Sequence, residues 1–289
     1  MKKIKSYAKI NLFLKVLKKD KDFHKINSLI IPINLFDEIY IKEKVGTDFV
    51  KFSGFFKDKI NKINTVTKVL IFLKKKYPEV AKKNFEITVD KKIPTGSGLG
   101  GASSNATSIF EFLLKKYKIK ISLKNKIKFL SRIGKDCPFF LNLKPKIVSS
   151  YGEKFKIVKT KINLNLLLIY PNVVLSTKKV FKENKKISKK INIKNIMTKK
   201  SLNFQRLKEN GNDLIDSAKR ISPKIGRLLK TLWSIKGIKY ASMSGSGSTC
   251  FAIFDNKKSL LNAKKIIKKQ KKNYWTVITN TVTCNQIGA

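Results

Sequence analysis

The chain has 289 residues, 42% of them apolar, which is enough to bury one large or two ordinary domains and too apolar for a disordered polymer. Its formal charge is +47, from 65 lysines and arginines against 18 carboxylates, yet only Arg132, Arg206, Arg220 and Arg227 are arginine. Nucleic-acid readers favour the bidentate arginine fork, and these lysines are spread along the whole chain. The charge therefore reads as a composition bias with no specific nucleic-acid partner, only non-specific attraction to polyanions at low salt.

In chain order, residues 4–14 read as a strand interrupted near Ala8, followed by a turn-like run at 18–23. Apolar segments at 29–35 and 36–44 read as two further stretches of strand. Residues 66–77 have the spacing of an amphipathic helix, closed by Pro78. Strict alternation over 85–90 predicts a half-buried strand, and Ile109, Phe110, Leu113, Leu114 and Tyr117 predict a helix. Another helix follows at 123–133, broken by 134–140, and then a strand at 147–150. The pattern restarts near 155 with a strand at 162–170 and a helix near 176–184. A lysine- and asparagine-rich stretch up to 200 reads as a surface connection. Helices are expected from 212 and over 223–233, then a second glycine run, a strand at 251–254, a helix at 260–269 and a closing strand at 276–282. This is an α+β pattern in two domains, residues 1–155 and 156–289.

No apolar run reaches membrane-spanning length; the best, 164–170, contains Asn165. The strand pattern begins almost at the first residue, which leaves no room for a targeting peptide. Cys137, Cys250 and Cys284 are widely spaced, lack metal-ligand spacing and fit a reducing cytoplasm.

The run KKIPTGSGLGGASSNA, 91–106, lies between a predicted strand and a predicted helix. Glycines there allow positive φ and close approach of a ligand, while the helix start offers N–H groups and a positive dipole end to an anion. A phosphate cradle competes with two plainer readings: a tight turn, or serines that simply cap the helix. The Lys-Ser or Lys-Thr of the common nucleotide loop is absent, and Gly96, Gly98 and Gly101 match G-x-G-x-x-G only weakly.

Three separated motifs bear on the choice. Pro94 to Ala106 resembles the central phosphate motif P-x-x-x-G-L-G-S-S-A of the GHMP small-molecule kinases, with Gly101-Ala102 interposed. Ser244-Gly245-Ser246-Gly247 resembles their C-terminal glycine motif, and Ala8-Lys9-Ile10-Asn11-Leu12 their N-terminal substrate motif. The resemblance spans nearly the whole chain and implies the two-domain α+β fold of that family. It also implies phosphoryl transfer from ATP, with Mg²⁺, to an alcohol. Pro94, Gly96, Gly98, Leu99, Gly100, Gly101, Ala102, Ser103 and Ser104 would then hold the nucleotide, with Ser103 or Ser104 as candidate magnesium ligand. Asp136 would accept or orient the acceptor proton, and Lys9 would offset negative charge.

Asp136-Cys137-Pro138-Phe139-Phe140, Asn212-Asp213-Leu214 and the run 171–177 followed by Phe181 are similar to the branch whose small-molecule substrate is a cytidyl diphosphate. Asn11, Phe23, His24, Asp136, Phe181 and Gly245 would bind that substrate. One departure stands out: where the family shows Asp-Gly-Tyr-His, this chain has Lys21-Asp22-Phe23-His24, so Phe23 keeps a stacking face but loses a hydroxyl. A monomer or homodimer is expected.

Overall fold

The structure, a computed structural model, describes residues 1–20, 23–57, 63–197 and 201–282, with the side chains of Phe23 and Asn195 outside the description. Two long paired strands open it: β1 (Lys2–Asp20) and the 22-residue β2 (Phe23–Lys44). Then come β3 (Phe49–Ser53), α1 (Thr65–Lys76), α2 (Pro78–Ala81), β4 (Asn84–Asp90), α3 (Gly101–Lys116), α4 (Leu123–Ile133) and a 3₁₀ turn (Cys137–Leu141). The remainder is β5 (Lys146–Ser150), β6 (Lys154–Ile157), β7 (Asn165–Tyr170), α5 (Thr177–Lys182), α6 (Ile193–Ile196), α7 (Phe204–Asn210) and α8 (Ile215–Ile221). It closes with α9 (Pro223–Trp233), β8 (Ile238–Met243), β9 (Cys250–Phe254), α10 (Lys257–Gln270) and β10 (Trp275–Asn280).

The expected interruption near Ala8 is absent, and the segments 29–35 and 36–44 form one strand. The cause is burial on both faces: Ser6, Lys9, Asn11 and Lys15 are buried along with their apolar neighbours, so polarity does not mark a solvent-facing position. The two strands are separated by Lys21 and Asp22, which lie outside the described residues, as does Cys284. Cys137 and Cys250 are buried free thiols. No helix among the described residues is long and apolar enough to cross a membrane.

Whereas the sequence pattern restarts once, near 155, the compact units take alternating segments. One comprises residues 1–8, 35–95 and 100–142, the other 9–34, 96–99 and 143–289. Strands β1 and β2 contribute residues to both.

In the first unit β4 runs parallel to β3 and antiparallel to the second half of β2. Its burial alternates strictly, and Phe85, Ile87 and Val89 meet Val69, Leu70 and Leu73 of α1, Ile109, Phe110 and Leu113 of α3, and Leu130 of α4. Helix α1 begins at a capping box, Asn64 with Thr67, and stops at Tyr77, held extended ahead of Pro78. The buried Asp37 carboxylate accepts the Lys92 and Ile93 N–H groups at 2.8 Å each and Asn105 Nδ2 at 3.0 Å, and pairs with the Lys91 ammonium. It thereby fixes the strand end that launches the glycine run and ties it to α3.

In the second unit the first half of β2 pairs with β5, and β5 with β6. A separate antiparallel sheet, β10-β7-β9-β8, packs on α8, α9 and α10. Helix α9 buries Ile225, Leu228, Leu229 and Leu232, the i, i+3, i+4, i+7 stripe of an amphipathic helix. Asp213 is buried, with Oδ1 2.8 Å from Lys15 Nζ and Oδ2 accepting the Val16 N–H at 2.9 Å, so residues just ahead of α8 are locked onto β1.

Lys146 opens β5 opposite Ile30, is fully buried and lies 5.2 Å from the Phe155 ring centroid. Burial pushes its ammonium from the ordinary 10.5 down to about 7. Between those values the unfolded chain holds a proton that the folded chain has released, so stability from this group rises with pH through that window. Lys146→Met is therefore expected to melt above the wild type, with the widest gap below about pH 7 and the gap closing toward pH 10.5. Thermal unfolding across the window reads this directly, and a pH-independent gap would remove the buried charge as its cause.

Candidate functional site

Lys9 and Asn11 sit two residues apart on β1 and so share a face. Lys9 Nζ donates to Asn11 Oδ1 at 2.7 Å, and Asn11 Nδ2 donates to Ser28 Oγ at 2.8 Å. Both side chains are almost wholly buried, at 3% and 2% exposure. The Lys9 N–H donates to the Leu99 carbonyl at 2.9 Å, which fixes the end of the first glycine loop against β1.

The second glycine loop joins the same network. Ser244 Oγ accepts the Asn11 N–H at 3.3 Å and donates its own proton to the Gly98 carbonyl at 2.9 Å. The Thr249 N–H donates to the Ser97 carbonyl at 3.0 Å. Gly98 has φ +80°, and a Cβ there would collide with the Ser244 carbonyl, so the two loops touch only because this residue has no side chain. Gly245 leaves its open side to the site: a Cβ there would lie 3.3 Å from Lys9 Nζ and 3.4 Å from Asn11 Oδ1. The loop is braced from behind by Asn212, whose Nδ2 donates to the carbonyls of Met243 (2.7 Å) and Gly245 (2.8 Å) while Oδ1 accepts the Leu214 N–H.

In the same unit His24 packs on Phe181, ring centroids 5.3 Å apart and planes tilted by 35°. Burial first, and the Lys19 charge second, push the His24 pKa below its ordinary 6.5, so the imidazole is neutral near pH 7. The expected slot between Phe23 and Phe181 involves a side chain outside the description.

In the first unit Gly100, at φ +75°, is the left-handed N-cap residue of α3. The opening N–H groups of this 16-residue helix have no acceptor within the helix, and the dipole favours an anion there. Ser104 Oγ accepts a hydrogen bond from Ser6 Oγ at 2.8 Å, so that hydroxyl is engaged in packing α3. Thr107 Oγ1 lies 3.0 Å from the Ser103 carbonyl and 2.9 Å from that of Cys137, joining α3 to the turn that begins at Asp136. Burial, helped by the Asp136 charge and opposed by a hydrogen bond with Ser103, pushes the Cys137 thiol up to about 12. Ser103, Asp136 and Cys137 are thus neighbours, and the thiol is no nucleophile. No group of three or more His, Cys, Asp or Glu able to hold a metal occurs among the described residues.

The structure therefore brings Lys9, Asn11, Gly98, Leu99 and Gly245 together in one unit, with His24 against Phe181 in that unit too. Pro94, Gly100 to Ser104 and Asp136 belong to the other, and Gly96 precedes Gly98 in the first loop. Ser244 and Asn212 stand in motifs the sequence displays, but no role was read for either.

The family model described as "GHMP kinases N terminal domain" matches residues 64–142, and that of "GHMP kinases C terminal" matches 193–273, together more than half of the chain. This chain belongs to the GHMP kinase family. Among its relatives, a 4-diphosphocytidyl-2-C-methyl-D-erythritol kinase of Pelagibacter ubique is 37% identical, covering 97% of this chain and 99% of its own. Enzymes of the same name from Wolbachia pipientis wMel (34%; 96% and 98% covered) and Anaplasma marginale (31%; 96% and 96%) are similar over comparable lengths. A crystal structure of 4-(cytidine 5'-diphospho)-2C-methyl-D-erythritol kinase shares the fold with a TM-score of 0.78 at 21% identity, over 98% of this chain and all of the other. A homoserine kinase from Cytophaga hutchinsonii does so at 0.66 and 17%, over 99% and 97%. A GHMP kinase takes ATP as its phosphoryl donor, and the N-terminal match includes α3 and Asp136 but neither Lys9 nor Asn11.

Asn212→Ala would leave two buried loop carbonyls without their donor. This GHMP kinase is expected to lose about 2 kcal/mol of stability in chemical denaturation and to show a raised KM for ATP. Unchanged values for both would show that Asn212 is not the brace of the loop.

Proposed function

We propose that this GHMP kinase transfers the γ-phosphoryl group of ATP to the 2-hydroxyl of 4-diphosphocytidyl-2-C-methyl-D-erythritol, in the non-mevalonate route to isoprenoid precursors. The observation that carries the choice of substrate is the contact of His24 with Phe181 in the unit that holds Lys9, Asn11 and Gly245. A stacking platform with a neutral imidazole suits a cytosine ring and its polar edge. The full-length similarity to enzymes of that name supports the same reading. The sequence resemblance assigns Phe23 to the same substrate, its side chain lying outside the description.

Pro94 rigidifies the entry to the nucleotide loop, and backbone N–H groups from Gly96 through Ser104 cradle the phosphates. Gly98 and Gly100 supply the positive-φ turns this demands. Asp136 accepts the proton of the acceptor hydroxyl or orients it for in-line attack, and the ammonium of Lys9 offsets charge spreading onto the transferred group. Asn11 keeps that ammonium aimed through its 2.7 Å hydrogen bond. Mg²⁺ would arrive as a companion of the triphosphate in this reading. Ser103 or Ser104 would supply a hydroxyl to it, each of them already partnered within the protein, Ser103 by Cys137 and Ser104 by Ser6. Such ions neutralise phosphate charge when bound. The reading places the enzyme in the cytoplasm, where both substrates would be made.

The test is ATP consumption with the cytidyl substrate, homoserine, mevalonate and galactose in parallel; turnover confined to the first is expected, and turnover of another alcohol in its place would overturn the substrate. Asp136→Asn is expected to bind both substrates and lose about 10²-fold in kcat. A near-normal kcat would remove Asp136 from the chemistry. Phe181→Ala is expected to raise KM for the cytidyl substrate roughly tenfold while leaving the ATP affinity of the enzyme without that substrate unchanged, a split that steady-state kinetics and direct ATP titration resolve.

A further inference from the structure

Residues 173–181 run from the second glycine loop to the aromatic pair, and all lie in one compact unit. The loop holds the beginning of this segment at three points. The Ser248 hydroxyl donates to the Val173 carbonyl, and Leu175 Cδ1 lies 3.3 Å from where a Gly247 Cβ would stand. Thr177 Oγ1 sits 2.9 Å from Ser246 Oγ, the one side-chain hydrogen bond between α5 and the loop among the described residues.

Thr177 is the first residue of α5, and Phe181 follows four positions later. Positions i and i+4 lie one above the other on a helix, so the hydroxyl that grips the loop and the ring that meets His24 stand on one face, a single turn apart. Ser176 caps the helix by accepting the Lys179 N–H, and the fully buried Val180 seats it in the core. The other end of the relay is equally direct, since Ser244 of the same loop donates to the carbonyl of Gly98 in the first glycine loop.

We propose that the Thr177–Ser246 hydroxyl pair couples the two substrate subsites, so that nucleoside triphosphate on the glycine loops and the cytidyl group at Phe181 each tighten the binding of the other. Thr177 is a positioning residue in this scheme. The inference rests on the assignment of Phe181 to the cytidyl substrate. Phosphates that draw the first loop in would act through Gly98, Ser244 and Ser246 on α5, and the shift would be felt at the ring. Linkage makes the effect reciprocal: whatever factor ATP applies to the cytidyl affinity, the cytidyl substrate applies to ATP.

The test is calorimetric titration of the full chain with the cytidyl substrate, with and without a saturating non-hydrolysable ATP analogue, and the reverse titration. The wild type is expected to show a coupling of about fivefold or more, equal in both directions. Thr177→Val should bring the ratio of the two affinities to about one, whatever it does to either affinity alone. Thr177→Ser, which keeps the hydroxyl, should restore it, and a merely structural role for Thr177 would leave the ratio unmoved. Coupling in Thr177→Val equal to that of the wild type would overturn this proposal alone, as would a wild-type ratio of about one. Failure of the wild type to bind the cytidyl substrate at all would overturn the assignment of Phe181 and this proposal together.

Discussion

Three distant parts of the chain meet on the oxygen of Ser244. It accepts the backbone N–H of Asn11 and donates to the backbone carbonyl of Gly98, over separations of 233 and 146 residues. Each bond contributes only about 1 kcal/mol net, but the alternative is a buried backbone group with no partner, which costs more. The arrangement also dictates a composition. With the Ser244 carbonyl occupying the space beside Gly98, no residue with a Cβ fits there, and the left-handed backbone at that position would resist one anyway. The loops are flexible by composition and held by the hydrogen bonds that converge on them.

Buried carboxylates perform a similar task elsewhere. In a chain with 18 acidic residues against 65 basic ones, any carboxylate readily finds a surface lysine, as Glu38 and Glu43 do. Asp37 and Asp213 are different, because each is buried with a lysine and also accepts backbone N–H groups. A buried ion pair is weak evidence of stability, since desolvation offsets the attraction. Its value here is positional. Asp37 sets where the chain turns into the first glycine run, and Asp213 sets where the segment carrying Asn212 lies on β1.

Much of this fold is legible in the sequence. Helices α4 and α9 run over the residues their apolar spacing predicts, because each shows one stripe to a core and the rest to water. Strand β4 follows its alternation for the same reason. Strands β1 and β2 were read as broken because they are buried on both faces and carry inward polar residues, a situation in which periodicity carries no signal. β3 and β6 bury none of their residues and so show no apolar face, and β8 is broken by an irregularity between Ile238 and Tyr240. In the site, glycines announce themselves by clustering, and Lys9 and Asn11 by their motif. The roles of Ser244, Asn212, Asp37 and Thr177 do not, because each has partners far away in sequence. Nothing in local spacing records such a partnership. Ser103 and Ser104 look interchangeable in sequence, whereas the structure partners Ser104 with Ser6 and Ser103 with Cys137.

The alternation of segments between the two compact units bears on how the molecule is made. Strand β1 finds some of its partners about two hundred residues further along the chain. The Leu12 carbonyl waits for the Tyr240 hydroxyl, Leu14 bridges Asn212, and Lys15 and Val16 wait for Asp213. Contacts of such separation close slowly, because the entropy of a long loop is lost before any contact rewards it. Strand β2 can pair with β1 early, but the contacts of residues 12–16 with Tyr240, Asn212 and Asp213 thus form only late in translation.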